Sequence, residues 1–178
     1  MTWLRSLVSI AAFAFVAAPL EAQLPRVLTK LPAYRNDIAL DTLVYATEVI
    51  DVPVERAFSL ARAALSELKI PRSLADSARG VIGNVRFATS GSMGGERLSR
   101  FLHCGVGLSG ENADYWRVTL AVVAFVSPVS ERTSRVGVAV TGSSQDMGGA
   151  YKEPLPCATS GMLEGRIVGR LRELAALR

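Results

Sequence analysis

Four stretches of the chain carry a clear period, two strand-like and two helical. Trp116, Val118, Leu120, Val122, Ala124 and Val126 make a wholly apolar face over 115–127. Val136, Val138 and Val140 do the same over 132–142. Both sets carry even numbers. Residues directly opposite in a hairpin share a face, so the numbers of each pair must sum to an even value; a one-residue slip would turn a core face to water. The parity therefore predicts an odd loop of three or five residues around Pro128 to Ser130. Helical spacing runs through Val54, Ala57, Phe58, Ala61, Leu65 and Leu68, with charged and hydroxyl residues opposite, and Pro71 ends it. A second helix carries Leu163, Ile167, Leu171 and Leu174 to about Ala176. Thr159-Ser160-Gly161 opens it, but Leu163 stands where a capping box from Ser160 needs glutamate, so its first residue stays open.

Weaker strands fill the rest. Leu43, Tyr45, Thr47 and Val49 share one face of 41–51. Over 81–88, Val81, Val85 and Phe87 are expected inward, with Ile82, Asn84 and Arg86 outward. Residues 72–76 and 97–104 read as lesser strands, and 89–96, 105–114 and 143–156 as loops. Strands with flanking helices predict an α+β fold: an antiparallel sheet of about five to six strands with two amphipathic helices on one face. A meander through 81–88, 97–104, 115–127 and 132–142 sets Cys104 and the start of the 143–156 loop at one end of the sheet. Segment 23–40 has no period and is interrupted by Pro25 and Pro32, so it reads as a linker or arm ahead of a single domain over 41–178. Leu24, Val27, Leu28, Leu31 and Tyr34 make it apolar enough to lie on that domain or on a neighbour.

The N-terminus sets the compartment. Arg5 precedes an apolar run over Leu7–Ala18, and Leu20-Glu21-Ala22 fits a cleavage site, as in a secretory signal peptide over 1–22. About twelve apolar residues are too few to span a bilayer, which needs about twenty. No transmembrane segment is expected after cleavage, and the protein is expected in the periplasm or outside the cell. In that compartment the two cysteines, Cys104 and Cys157, are expected to form a disulfide. The net charge of +4 raises the possibility of an acidic partner, but the arginines are scattered without interleaved aromatics. Nucleic acid is not expected.

Catalytic patterns are sparse. Gly105-Val106-Gly107-Leu108-Ser109-Gly110 is a literal GxGxxG, but a strand follows it where a pyrophosphate site needs a helix. His103, the single histidine, neighbours Cys104, and adjacent strand residues point to opposite faces, which argues against a shared metal or a Cys–His pair. Glu111 and Asp114 read as an exposed acidic loop. Met93-Gly94-Gly95 and Met147-Gly148-Gly149 are two echoing loop tips, the first near Arg97 and Arg100, and the meander sets them at opposite ends of the sheet. No cofactor, metal or enzymatic activity is expected.

One segment carries a likeness. Val54–Ile70 followed by Asp76-Ser77-Ala78-Arg79-Gly80-Val81-Ile82-Gly83-Asn84-Val85-Arg86-Phe87 resembles the helix-grip domain of the C lipoprotein of the outer-membrane barrel-assembly machinery. There too an amphipathic helix leads to a short strand, a D-x-x-x-G turn and a strand ending in an aromatic. This chain lacks the lipid-bearing cysteine and adds the Cys104, Cys157 pair. Cys157-x-x-Ser160-Gly161-x-Leu163-Glu164 also resembles the ending of uncharacterised exported bacterial envelope proteins. The resemblance implies a helix-grip-like fold and an envelope location.

Two functions fit. One is a non-enzymatic binding or structural protein of the envelope, partnered by another envelope protein or by itself. The alternative is a carrier of a small apolar ligand between the sheet and the C-terminal helix. The candidate interaction face is the sheet surface away from the helices. With Val123 opposite Arg135, Phe125 opposite Thr133, Ala121 opposite Gly137 and Thr119 opposite Ala139, small residues line its centre. Phe125 and Arg135 lie toward one end, Tyr115 and Arg117 toward the other. That face is either wet or covered, by the 23–40 arm or by another subunit.

Overall fold

The computed structural model describes residues 23–149 and 153–177. The expected signal peptide, 1–22, lies outside the described residues, as do 150–152 of the last loop. Among the described residues seven strands form one antiparallel sheet: β1 (Val44–Ile50), β2 (Leu74–Asp76), β3 (Val81–Thr89), β4 (Leu102–His103), β5 (Arg117–Ser130), β6 (Thr133–Gln145) and β7 (Leu155–Thr159). Their order is β2-β3-β5-β6-β7-β4. Strand β1 shares the β7 edge of β6, pairing along Ser134–Ala139 while β7 pairs along Gly142–Ser144. The helices are α1 (Val54–Glu67), the one-turn α2 (Asn112–Tyr115) and α3 (Met162–Ala176).

The long hairpin obeys the parity of its apolar sets. Val122 faces Val140, Ala124 faces Val138 and Val126 faces Val136. The tip is Glu131-Arg132 and not Pro128 to Ser130. Ser130 pairs with Thr133, and an irregularity between Pro128 and Ser130 restores the even sum. The register therefore differs from the expected one. Val123 faces Ala139, Ala121 faces Thr141, Phe125 faces Gly137 and Thr119 faces Ser143. Parity allows several even sums, and only the turn selects among them.

On one face α1 and α3 cover the sheet. Phe58, Leu65, Leu163, Ile167 and Leu171 join Val118, Leu120, Val122, Val136 and Val138 in one buried cluster. The opposite face is buried too. Val27 and Leu40 join Val81, Ala121, Val123, Phe125 and Ala139, with Leu24, Val44 and Val85 packed against them. The 23–40 arm supplies this second layer. It folds on itself, pairing Leu28 with Ala39 and Thr29 with Ile38, and the Leu40 amide donates to the Val27 carbonyl (2.8 Å). The Thr29 hydroxyl donates to the Val85 carbonyl, which ties the arm to β3. Ala121, Ala139 and Gly137 leave the backbone space that such a layer needs.

Three local readings change. Over 81–88 one alternation cannot hold, because the β3–β5 register shifts between Leu120 and Val122. Ile82 turns toward the helices, while Val81 and Val85 lie under the arm. In β1 the expected alternation breaks at Tyr45, because Val44 faces Ala139 while Ala46 faces Val138; Tyr45, Thr47 and Val49 are exposed, and Ile50 turns into the helix-side core. The 97–104 segment is mostly not a strand. The Asp114 carboxylate accepts the Ser99 amide (2.9 Å) and hydroxyl (2.8 Å), which curls Leu98–Arg100 into a 3-10 turn.

Gly161 begins α3 with φ +78°, and a Cβ there would strike the Tyr45 ring. A left-handed residue with no room for a side chain requires glycine. Glu164 then turns inward instead of capping the helix. One carboxylate oxygen accepts the Thr159 hydroxyl (2.7 Å), and the other has no partner among the described residues. Burial holds this carboxyl above its usual range, the Thr159 bond opposing.

Candidate functional site

The most projecting part of the molecule follows Cys104. Cys104 is bonded to Cys157, 53 residues away, and both are buried. A tight hairpin leaves this staple, with Val106–Gly107 pairing Gly110–Glu111 and Leu108-Ser109 at its tip. Asn112, buried at the start of α2, braces the hairpin from below. Its side-chain amide donates to the Cys104 carbonyl (3.2 Å), and its backbone amide donates to the Gly105 carbonyl (2.9 Å). A Cβ on Gly107 would come within 2.7 Å of the Asn112 Oδ1, so this residue must be small.

The brace holds apolar side chains out in water. Leu108 is fully exposed at the tip and Val106 is 71% exposed. Tyr115, 61% exposed, lies beside Gly110. A groove of about 450 Å³ continues past Tyr115, Trp116 and Arg117 to Met147, which is 64% exposed. An adjoining groove of about 380 Å³ also takes in Arg117 and Met147, and adds Pro32 of the arm and Arg86. Neither Arg86 nor Arg117 forms an ion pair among the described residues. The end of the sheet therefore presents four exposed apolar side chains beside two arginines, a composition suited to contact with another molecule.

The five candidate residues of the outer face separate. Tyr115 and Arg117 belong to this end. Ala121 and Phe125 lie beneath the arm and are inaccessible. Arg135 is exposed beside Val49, ten residue steps along β6 from the partner of Arg117, or about 33 Å. The outer face is therefore not one site. Nor are Met93 and Met147 at opposite ends. Because β3 neighbours β5 directly, both loops leave the same end, but Met93 is buried and the Arg166 guanidinium donates to the Gly94 carbonyl (3.0 Å). Arg100 pairs with Glu96 at 2.9 Å, and Arg97 lies 3.9 Å from Asp114. Asp114 is not the exposed acid of a loop, since Ser99 and Arg97 occupy it. His103 is exposed on β4, paired with Ala158.

No protein family model, curated protein or solved structure matches the chain. The site rests on its own geometry. Val106 and Leu108 escaped the sequence reading because the GxGxxG pattern drew attention to phosphate chemistry. The usable signal was a pair of large apolar residues alternating with glycines two residues beyond a cysteine.

Proposed function

We propose that the protein is a non-enzymatic binding or structural component of the bacterial cell envelope, working in the periplasm or outside the cell. The observation that carries this reading is the braced hairpin. A disulfide, a buried asparagine and a one-turn helix fix a loop whose outward residues are Val106 and Leu108. Rigid apolar projections flanked by aromatic and arginine side chains lose little entropy on docking and are the residue types that dominate interfaces. The disulfide agrees with an oxidising compartment. The carrier reading has weaker support. Phe58, Val138 and Leu171 lie in one continuous buried cluster, and the grooves of 380–510 Å³ open on the surface.

The test compares the parent with Leu108→Asp and Arg117→Glu in quantitative retention of envelope extract on immobilised protein. Both variants should unfold at the parent's urea midpoint, since both side chains are exposed. Each should lose most of a saturable retained component. Unchanged retention by both variants would remove the hairpin end as the binding surface.

A further inference from the structure

The hairpin end is convex. Leu108 stands clear of its surroundings, and Val106 beside it is mostly exposed. A protein partner would need a pocket shaped to this tip, whereas a fluid surface closes round a projection of any shape. Behind the tip the polarity is graded. Tyr115 lies beside Gly110. Tyrosine, with an apolar ring and a polar hydroxyl, settles where hydrocarbon meets water. Past Tyr115 come Met147, Arg117 and then Arg86, along the two adjoining grooves. Neither arginine forms an ion pair among the described residues. The nearby acids are turned elsewhere. Asp146 accepts the amides of Gly148 (3.1 Å) and Gly149 (2.9 Å), whose dipoles offset part of its charge. Asp114 is held by Ser99 and Arg97. Glu111, opposite Val106, keeps the base of the hairpin in water and limits how far the tip can sink. The chain as a whole carries a net charge of +4.

We propose, on the hairpin reading above, that this end of the sheet seats on a bilayer containing anionic phospholipid. Leu108 and Val106 enter the boundary between headgroups and acyl chains. Tyr115 and Met147 lie at the interface, and Arg86 and Arg117 meet the phosphates. Peripheral binding draws on buried apolar area and on attraction to anionic lipid, and this end offers both. The disulfide and the Asn112 bonds fix the hairpin's shape before contact, so docking orders no loop. With two apolar side chains inserted and two arginines at the headgroups, the binding is reversible and weakens as salt screens the charges.

The test is co-sedimentation with vesicles of phosphatidylcholine, with and without phosphatidylglycerol. At low ionic strength the parent should pellet with the anionic vesicles and be released by salt. Leu108→Ser should bind about tenfold more weakly or worse. Arg86→Gln and Arg117→Gln should each lose about fivefold, and only on anionic vesicles. A polarity-sensitive dye on Leu108→Cys, with the native disulfide intact, should brighten on the vesicles and be quenched by spin-labelled lipid. The same dye on Val49→Cys, at the far end of the sheet, should do neither. No binding at low ionic strength, or binding that all three variants retain in full, would overturn the membrane as partner. If the vesicles fail but lipid-free envelope protein is retained and Leu108→Asp abolishes that retention, the partner is a protein: this inference falls and the hairpin reading stands. If neither is retained, both fall.

Discussion

On one face of the sheet α1 and α3 set Leu65, Ile167 and Leu171 among Val136, Val138 and Val140; on the other, an irregular arm sets Val27 and Leu40 among Ala121, Val123 and Phe125. Both layers exclude water, by different physics. A helix satisfies its own backbone and presents a periodic stripe. The arm has neither advantage. Its backbone groups are satisfied by a two-residue ladder, by Asp41 accepting the Val27 amide (3.3 Å), and by borrowed bonds such as Thr29 to Val85. It can approach closely because Ala121 and Ala139 are small. Sealing by an aperiodic segment moves the accessible surface to the sheet's end.

If the arm is a true layer, the outer face must respond to substitution as a core does. Ala121→Arg should cost more than about 4 kcal/mol or prevent folding, because it buries an unpaired charge. A wet face would tolerate it with a change below about 0.5 kcal/mol, read from urea unfolding. Phe125→Ala under the arm and Phe58→Ala under the helices should each cost about 3–5 kcal/mol. If Phe125→Ala costs less than about 1 kcal/mol while Phe58→Ala does not, the two faces are unequal and the arm is only loosely laid.

The disulfide belongs to the helix side, where Cys104 and Cys157 join the core cluster. Closing a loop of this length should stabilise the chain by about 4 kcal/mol, so Cys157→Ser should lose about that much in urea unfolding. Parent and variant that unfold at the same midpoint would remove it as a staple.

A pH-dependent effect is also expected on the helix side. Burial raises the Glu164 carboxyl above its ordinary 4.5, so the folded protein holds this proton more tightly than the unfolded chain does. The resulting stabilisation is complete below 4.5 and is lost as pH rises through the raised value. Glu164→Gln has no charge to bury. It should be more stable than the parent at pH 8, and its advantage should fade as the pH is lowered to 4.5. An advantage independent of pH would mean that the carboxylate is paired or solvated.

Much of the helix side was legible because its information is periodic. The stripes of α1 and α3 and the even-numbered faces of β5 and β6 lie in local patterns, and the Cys104–Cys157 bond, across 53 residues, followed from there being two cysteines in an expected exported chain. The register slipped because parity fixes only whether a sum is even, and the Glu131-Arg132 tip carries none of the Asn-Gly chemistry that would have marked it. The arm's place could be stated only as an alternative, since Val27 and Leu40 belong to no repeating pattern and their partners, Val81 to Ala139, are far away along the chain. Of the interaction face, Tyr115 and Arg117 remain at an exposed end, while Ala121 and Phe125 are apolar because the chain's own arm covers them. The hairpin went unseen because exposure is a property of the surroundings: Leu108 reads as a core leucine until the loop that carries it is placed.

The most direct measurement of the sealed face and the open end uses one thiol at a time. Ala121→Cys and Leu108→Cys, each with the native disulfide intact, are exposed to a bulky polar maleimide under native conditions. Leu108→Cys should label within the mixing time. Ala121→Cys should stay unlabelled until urea unfolds the protein. Equal labelling of the two, with the native fold retained, would mean that the arm does not cover the sheet and that the outer face is again a surface for partners.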